Sequence, residues 1–372
     1  FDVSNFKTRI AGIVRGFDAE VRWGRKEARK LDRFVQLAMA ASEQALENSQ
    51  LNLDKMDRER IGVYVGSGIG GIQTFIENVN LLNERGPGRV SPSLVPMIIS
   101  NAAAAQISIR LGALGPSLSP VTACSIGNSS IGEAFNTIRN GDADVIFAGG
   151  AEAAITPLSL ASFGNAKALS TNSEPSLASR PFDAQRDGFV MSEGAGVLVL
   201  ESLEHAVKRN APILCEVIGY GASSDAYHMV ATHPEGLGAY IAMRNALRKA
   251  NISTEEVDVI SAHATSTPLG DLSETLAIKK LFGQRAYQIP VTANKSMLGH
   301  MLGAAGGVEA IALVKSLMED IIPPTINLSH PDPECDLDYV SEDARKKELN
   351  IGISNSFGFG GHNSAIVLKK FK

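Results

Sequence analysis

Several strand-forming runs of this chain are apolar from end to end instead of alternating apolar with polar. Ile61–Val65, Val145–Ala148 and Val197–Leu200 read this way, with further strand candidates at Ile213–Gly219, Val257–Ala262, Ile289–Ala293, Ile351–Ser354 and Ala365–Leu368. A strand that is apolar on both faces is covered on both faces, so helices are expected above and below each sheet. Helical periodicity does fill the intervals, as in Arg29–Ser49, where Leu31, Phe34, Val35 and Ala38 recur on one side. The 35 glycines cluster where apolar runs end and helices begin, the punctuation of closely packed backbones. The fold class is α/β.

Bulk properties narrow the function. A net charge of −5 disfavours non-specific binding of nucleic acid. No apolar run is long enough to span a bilayer, and the start carries no signal-peptide pattern. Three cysteines, far apart and odd in number, argue for a reducing, cytoplasmic setting without a disulfide framework. Cys215 lies in an apolar run and reads as a strand residue. Cys335, in Pro331-Asp-Pro-Glu-Cys335-Asp, is expected at the surface. Only Cys124 has a setting that suggests chemistry.

Two segments look alike in plan. After Cys124 comes a helical pattern, Ile126–Asn140, closed by Gly141. After His300 comes Gly303-Ala-Ala-Gly-Gly, leading into Val308–Met318, a helix apolar on nearly every side and therefore buried. An internal duplication is expected, with halves at 1–210 and 211–372.

In Val121-Thr122-Ala123-Cys124-Ser125-Ile126-Gly127 the cysteine stands immediately before a helix. The positive end of that helix favours thiolate and should lower the thiol pKa. Adjacent backbone N–H groups can hold a developing oxyanion. The same pattern also suits a small residue buried at a helix start, and it does not choose between the two. His263 follows the run Val257–Ala262, and His300 follows Ile289–Ala293 through Asn294-Lys295-Ser-Met-Leu-Gly299. Histidines at matching strand ends sit at the rim where α/β sites gather. Neutral imidazoles donating from Nε2 could polarise a thioester carbonyl. A third segment, Asn355-Ser356-Phe357-Gly358-Phe359-Gly360-Gly361-His362-Asn363, reads as a mobile loop with bulky caps, suited to gating a pocket.

Gly66-Ser-Gly68-Ile-Gly70-Gly71 has the spacing of a dinucleotide fingerprint. No strand ending in an acidic residue follows about 20 residues later, so these glycines are expected to permit tight packing instead.

Together these segments resemble the β-ketoacyl-acyl-carrier-protein synthases, most closely the elongating enzymes of bacterial type II fatty-acid synthesis. The resemblance runs through Arg25–Asp32, Val121–Gly127, Arg180–Asp183, Asp187–Val190, His263–Asp271, Lys295–Glu309 and Asn355–Asn363, in family order. It implies a thiolase-like fold of five α-β-α-β-α layers and a homodimer in the cytoplasm, with no metal and no resident cofactor. It implies a Cys124 acylated by an acyl carrier protein, whose substrates hang on phosphopantetheine. His263 and His300 would assist decarboxylation of a malonyl carrier before the carbanion attacks the acyl-enzyme. Backbone N–H groups of Cys124 and Phe359 would hold the oxyanion, with Phe359 as the gate and Phe357 beside it at the substrate. Lys295 and Glu309 would support the histidines, and Thr265 and Thr267 would bond the pantetheine arm. Ile99 would line the acyl pocket and His228 its entrance. Lys26, Arg29 and Lys30 would meet the acidic carrier.

Departures from the family pattern are few. The chain begins at Phe1, and the family's opening strand and first helix have no counterpart in it. Ala264 stands where glycine is usual, Ile126 where smaller or polar residues are common, and His362 where many members have threonine. Other readings are a non-catalytic partner resembling the chain-length factors of polyketide assemblies, a thiolase, or a type I relative. The presence of Cys124 with both histidines argues against the first. His362 in place of a second cysteine argues against the second, and Ile99 favours type II over type I.

Overall fold

The computed structural model describes residues 1–372, and its strands follow the apolar runs. In chain order they are β1 (Ile61–Gly66), β2 (Ser117–Leu118), β3 (Val145–Glu152), β4 (Gly194–Glu201), β5 (Cys215–Ser224), β6 (Val259–Ser261), β7 (Val291–Thr292), β8 (Ile321–Ile322), β9 (Arg345–Lys346), β10 (Ile351–Gly358) and β11 (His362–Lys370). One sheet has the order β2-β1-β3-β4 and another β5-β11-β10-β6-β7, while β8 and β9 pair separately. In the first, β3 is parallel to β1, with Val145 opposite Ile61, and antiparallel to β4. In the second, β10 is parallel to β6 and antiparallel to β11. The plan is the same, with β5 as an additional strand beyond β11.

Six helices complete the layers: α1 (Arg33–Ser49), α2 (Ala102–Leu111), α3 (Ile126–Arg139), α4 (Leu237–Ala250), α5 (Pro268–Phe282) and α6 (Ala305–Glu319). α1 and α2 cover the outer face of the first sheet, α4 and α5 that of the second, and α3 and α6 lie between the sheets. These are the five layers expected. They also explain why the strands are apolar on both faces. Along β3, Val145 and Phe147 join an outer core with Phe34, Val35 and Ile107. Ile146 and Ala148, pointing the other way, join a central core with Ile131, Leu313 and Ile366. β10 and β11 likewise feed Ile353 and Val367 to an outer core with Met243 and Ile278. Each fully buried large side chain in such a layer contributes about 1.5–3 kcal/mol. No helix is long and apolar enough to cross a membrane.

The central helices meet almost backbone to backbone. A Cβ on Gly127 would lie 2.1 Å from the Gly307 nitrogen and 2.6 Å from the Gly306 carbonyl carbon. The Gly303 carbonyl oxygen would similarly stand 2.1 Å from a Cβ on Gly150. Only glycine fits this seam, and it brings the segments bearing Cys124 and His300 together.

Four expectations need correction. The first long helix begins at Arg33, not Arg29, because Asp32 caps it by accepting the Phe34 N–H at 3.2 Å; Arg25–Ala28 forms a separate turn. The strand after Ala211 starts at Cys215 and runs on to Ser224. Asn355–Gly358 is no loop but the end of β10, paired with β11 to Gly358–His362, so only Phe359–Gly361 turns. Cys335 is buried, 2% exposed. Its segment folds back, with Asp332 N–H on the Phe182 carbonyl at 3.0 Å, and the thiol packs in the outer core beside Tyr339, which stacks on Phe182.

Candidate active site

Cys124 lies in a tight turn, Ala123–Ser125, that leads into α3. Ala123 has φ +51°, a left-handed conformation costly for a residue with a Cβ. The turn aims the thiol at two backbone N–H groups, its own and that of Phe359. The expectation of a lowered thiol pKa is overturned. Burial pushes the thiol up to about 12, outweighing the nearby Lys295 ammonium and the two N–H donors, and the Glu152 carboxylate adds to the rise. At rest the group is a thiol. Around it lie Phe189, Met191, Leu160 and Leu302, with Ile69 and Phe163 at the margin, a lining suited to an alkyl chain.

The two histidines stand together, ring centroids 5.4 Å apart and planes at 87°. His263 follows β6. Its backbone N–H and that of Ala264 donate to the buried Glu274 carboxylate at 2.9 and 2.8 Å, and Asn355 Nδ2 donates to the same carboxylate at 3.0 Å. His300 is held from the other half of the chain. Its N–H donates to the Val190 carbonyl at 2.7 Å, and its own carbonyl accepts from Ser192 N–H at 2.9 Å. Burial, with the Lys295 ammonium nearby, holds both imidazoles well below their usual pKa, so both are neutral. Lys295, 2% exposed, is paired with Glu309 and lies 3.4 Å from His263 Nδ1. An ammonium can only donate, so Nδ1 accepts and the His263 hydrogen is on Nε2. Burial pushes Glu309 up to about 7, against the pull of Lys295.

Aromatic rings connect these parts. Phe359 neighbours Phe163 at 6.1 Å, Phe163 meets Phe189 at 5.6 Å, and Phe189 meets His300 edge-on at 5.1 Å. His263 in turn meets Phe357 at 5.6 Å. The turn bearing Phe359 rests on the segment of His228. Gly360 N–H donates to the Met229 carbonyl at 2.7 Å and Asp225 N–H to the Gly361 carbonyl at 2.9 Å. His228 itself is exposed, its Nδ1 accepting the N–H groups of Val230 and Ala231. Thr265 and Thr267 are half-buried, their hydroxyls 3.0 Å apart. Ile99 is exposed beside the Gly70–Gly71 turn, and Lys26 in the turn Arg25–Ala28, with Arg29 and Lys30 just after it, is exposed too, Lys30 pairing with Glu27. These last four stand apart from the central cluster.

Ala264, where glycine is usual, has φ +31°. Ala264→Gly should therefore raise unfolding free energy by about 0.5–1 kcal/mol, read as an upward shift of the thermal midpoint. A lowered midpoint would mean that the Cβ packing outweighs the strain.

Sequence reasoning missed Glu152, Glu274, Phe163 and Phe189. Glu152 had a signal, a lone carboxylate ending an otherwise apolar strand. Glu274 had one too, lying at helical spacing from Asp271 on the face of α5 that turns inward.

Comparison with known proteins identifies the family. The β-ketoacyl synthase N-terminal domain matches residues 4–206 and the C-terminal domain matches 214–329. The chain belongs to the β-ketoacyl synthase family, whose members are acyltransferases. It is 48% identical to the 3-oxoacyl-[acyl-carrier-protein] synthase 2 of Synechocystis sp., over 100% of this chain and 90% of that protein. The enzyme of the same name from Staphylococcus aureus gives the same identity and coverage. Among solved structures, a β-ketoacyl synthase from Burkholderia phymatum has a TM-score of 0.92 at 35% identity, over 99% of this chain and 89% of that one. A type II polyketide ketosynthase in complex with its acyl carrier protein has a TM-score of 0.92 at 33% identity, over 100% of this chain and 91% of that one.

Proposed function

We propose that this chain catalyses decarboxylative condensation of an acyl group on Cys124 with a malonyl thioester carried by an acyl carrier protein, the elongation step of fatty-acid synthesis. The observation that carries this reading is the pair of neutral imidazoles, edge to face, beside a buried thiol aimed at two backbone donors.

Sγ of Cys124 attacks the acyl thioester, and the oxyanion forms against the N–H groups of Cys124 and Phe359. Its collapse expels the carrier's thiolate, which takes the proton Cys124 gives up. The malonyl thioester then loses its carboxylate as carbon dioxide, and the electron pair of the broken C–C bond enters the thioester as an enolate. Nε2–H of His263, with His300 beside it, stabilises that oxygen. Because both rings are neutral, they donate to the enolate without protonating its carbon, leaving the carbon free to attack the acyl-Cys124 carbonyl. Collapse releases the 3-oxoacyl product and Cys124 thiolate, which takes a proton from water. Splitting the reaction this way replaces one difficult step by two easier ones.

Residues 1–210 thus supply the nucleophile, and 211–372 the imidazoles and the gating turn. Phe359 closes the pocket, and Phe357, Thr265, Thr267 and His228 face the arm, while Lys26, Arg29 and Lys30 suit the acidic carrier. The prosthetic group is the phosphopantetheine that the carrier brings. A homodimer in the cytoplasm belongs to the same reading. The exposed edge strand β2, with Leu118, Val121, Ile99 and Val95 exposed around it, supports a second copy there.

The test is mass spectrometry after incubation with a medium-chain acyl carrier protein. An acyl mass on the Cys124 peptide is expected. Folded protein without an adduct would overturn the assignment in favour of a non-catalytic partner.

A further inference from the structure

The loop Gly66–Gly71 has the backbone of an anion-binding nest, yet its N–H groups already hold an anion. Glu152, the last residue of β3, is 0% exposed. Its Oε1 accepts from Ser67 Oγ at 2.6 Å and Ile69 N–H at 3.2 Å. Its Oε2 accepts from Gly68 N–H at 2.9 Å and Gly303 N–H at 3.1 Å. Ser67 Oγ accepts in turn from Gly70 N–H at 2.9 Å. Four donors on one carboxylate offset much of the cost of burying its charge.

The donors come from both halves of the chain. Gly303 belongs to the turn Leu302–Ala304, which joins His300 to α6 and in which Leu302 has φ +48°. A Cβ on Gly68 would lie 3.9 Å from the Ala123 carbonyl oxygen, and one on Gly303 would lie 3.0 Å from the Gly68 nitrogen. The carboxylate therefore sits where the loop after β1, the turn before Cys124 and the turn after His300 converge. It also faces the nucleophile closely enough for its charge to disfavour a thiolate there.

We propose that Glu152 is a positioning residue for the condensation: by holding Gly303 N–H against the loop after β1, it sets His300 at a fixed place relative to Cys124. This rests on the condensing function argued above. Acylation of Cys124 does not need His300 in register, whereas decarboxylation and carbon–carbon bond formation do. Glu152→Gln removes the charge and one of the two acceptor oxygens, so the four-donor cradle that ties Gly303 to the loop after β1 is loosened. Glu152→Asp keeps the charge but retracts it by one methylene.

Two half-reactions separate the outcomes: acyl transfer to Cys124, read by mass, and carbon dioxide release from malonyl carrier. With Glu152→Gln, the second should fall at least about tenfold more than the first, since small misplacements of reacting groups cost 10- to 100-fold. The pH profile of Cys124 alkylation by iodoacetamide should also move to lower pH, because a negative charge beside the thiol has gone, a change that loosened packing alone would not produce. Should the amide variant fail to fold, Glu152→Asp should show the same imbalance between half-reactions with the parental alkylation profile. Equal losses in both half-reactions, or no loss in either, would overturn the proposal. Failure of the parent enzyme to acylate or to release carbon dioxide would instead overturn the function on which it rests.

Discussion

Cys124→Ala forms no measurable 3-oxoacyl product, a loss of at least about 10³-fold in turnover. The sulfur faces the N–H groups of Cys124 and Phe359 and carries the acyl group between the two half-reactions, and alanine has no atom to take its place. The fold should survive, because the side chain lost is small and lies in a minor apolar cluster, not in the three large cores. Product formation from carrier-bound substrates, alongside circular dichroism, separates the two effects. Parental turnover by a folded alanine variant would remove Cys124 from the mechanism.

Lys295→Met costs both stability and activity. It leaves Glu309 buried without its ion-pair partner, and one oxygen of that carboxyl, Oε2, already lacks a hydrogen bond. Breaking one side of such a pair is expected to cost about 3–5 kcal/mol. The deficit should depend on pH. Glu309 is raised from 4.5 to about 7 in the folded protein, so the folded state binds its proton more tightly than the unfolded chain does. That contribution is fully present below about 4.5 and is lost as pH rises through about 7. Without Lys295 the folded pKa climbs further, so the gap between variant and parent should widen from pH 6 to pH 8 in denaturant titrations. A gap independent of pH would mean that lost packing, not the stranded carboxyl, causes it. Adding Glu309→Gln should recover much of the stability by removing the charge. It should not recover condensation, because His263 Nδ1 still lacks the donor that keeps hydrogen on Nε2.

How far the sequence could be read depended on what each feature needs. Strands such as Val145–Ala148 and Val197–Leu200 were visible because burial on both faces demands apolar residues at every position, although their ends extend beyond the apolar cores. Cys124, His263 and His300 were visible as residues because each closes a strand or opens a helix. Their environment was not visible. The helix start before α3 argued for a lowered thiol pKa, yet desolvation by surrounding side chains distant in sequence dominates. Asn355–Gly358 read as a loop because glycines and a polar pair obscure its strand character, while pairing with β11 supplies the order. Cys335 shows the same limit from the other side. Proline and acidic neighbours pointed outward, but the Phe182–Tyr339 stack draws the thiol in. Glu152 stands out in sequence as a lone carboxylate, but its partners do not, since its four donors come from loops 83 to 151 residues away.

The contact of Gly127 with Gly306 and Gly307 also restricts how relatives of this protein can be recombined. A chimera joined in the connection between β4 and β5 inherits one helix from each parent, and at this crossing those helices meet backbone to backbone. Side-chain changes elsewhere on the two helices cannot repair a mismatch there, because a Cβ on Gly127 would strike the main chain of Gly306 and Gly307. Grafting should therefore succeed between parents that leave both surfaces bare and fail when either brings so much as a methyl group, however similar the remaining residues are. Chain ancestry at three glycines, more than overall identity, would decide which halves are interchangeable.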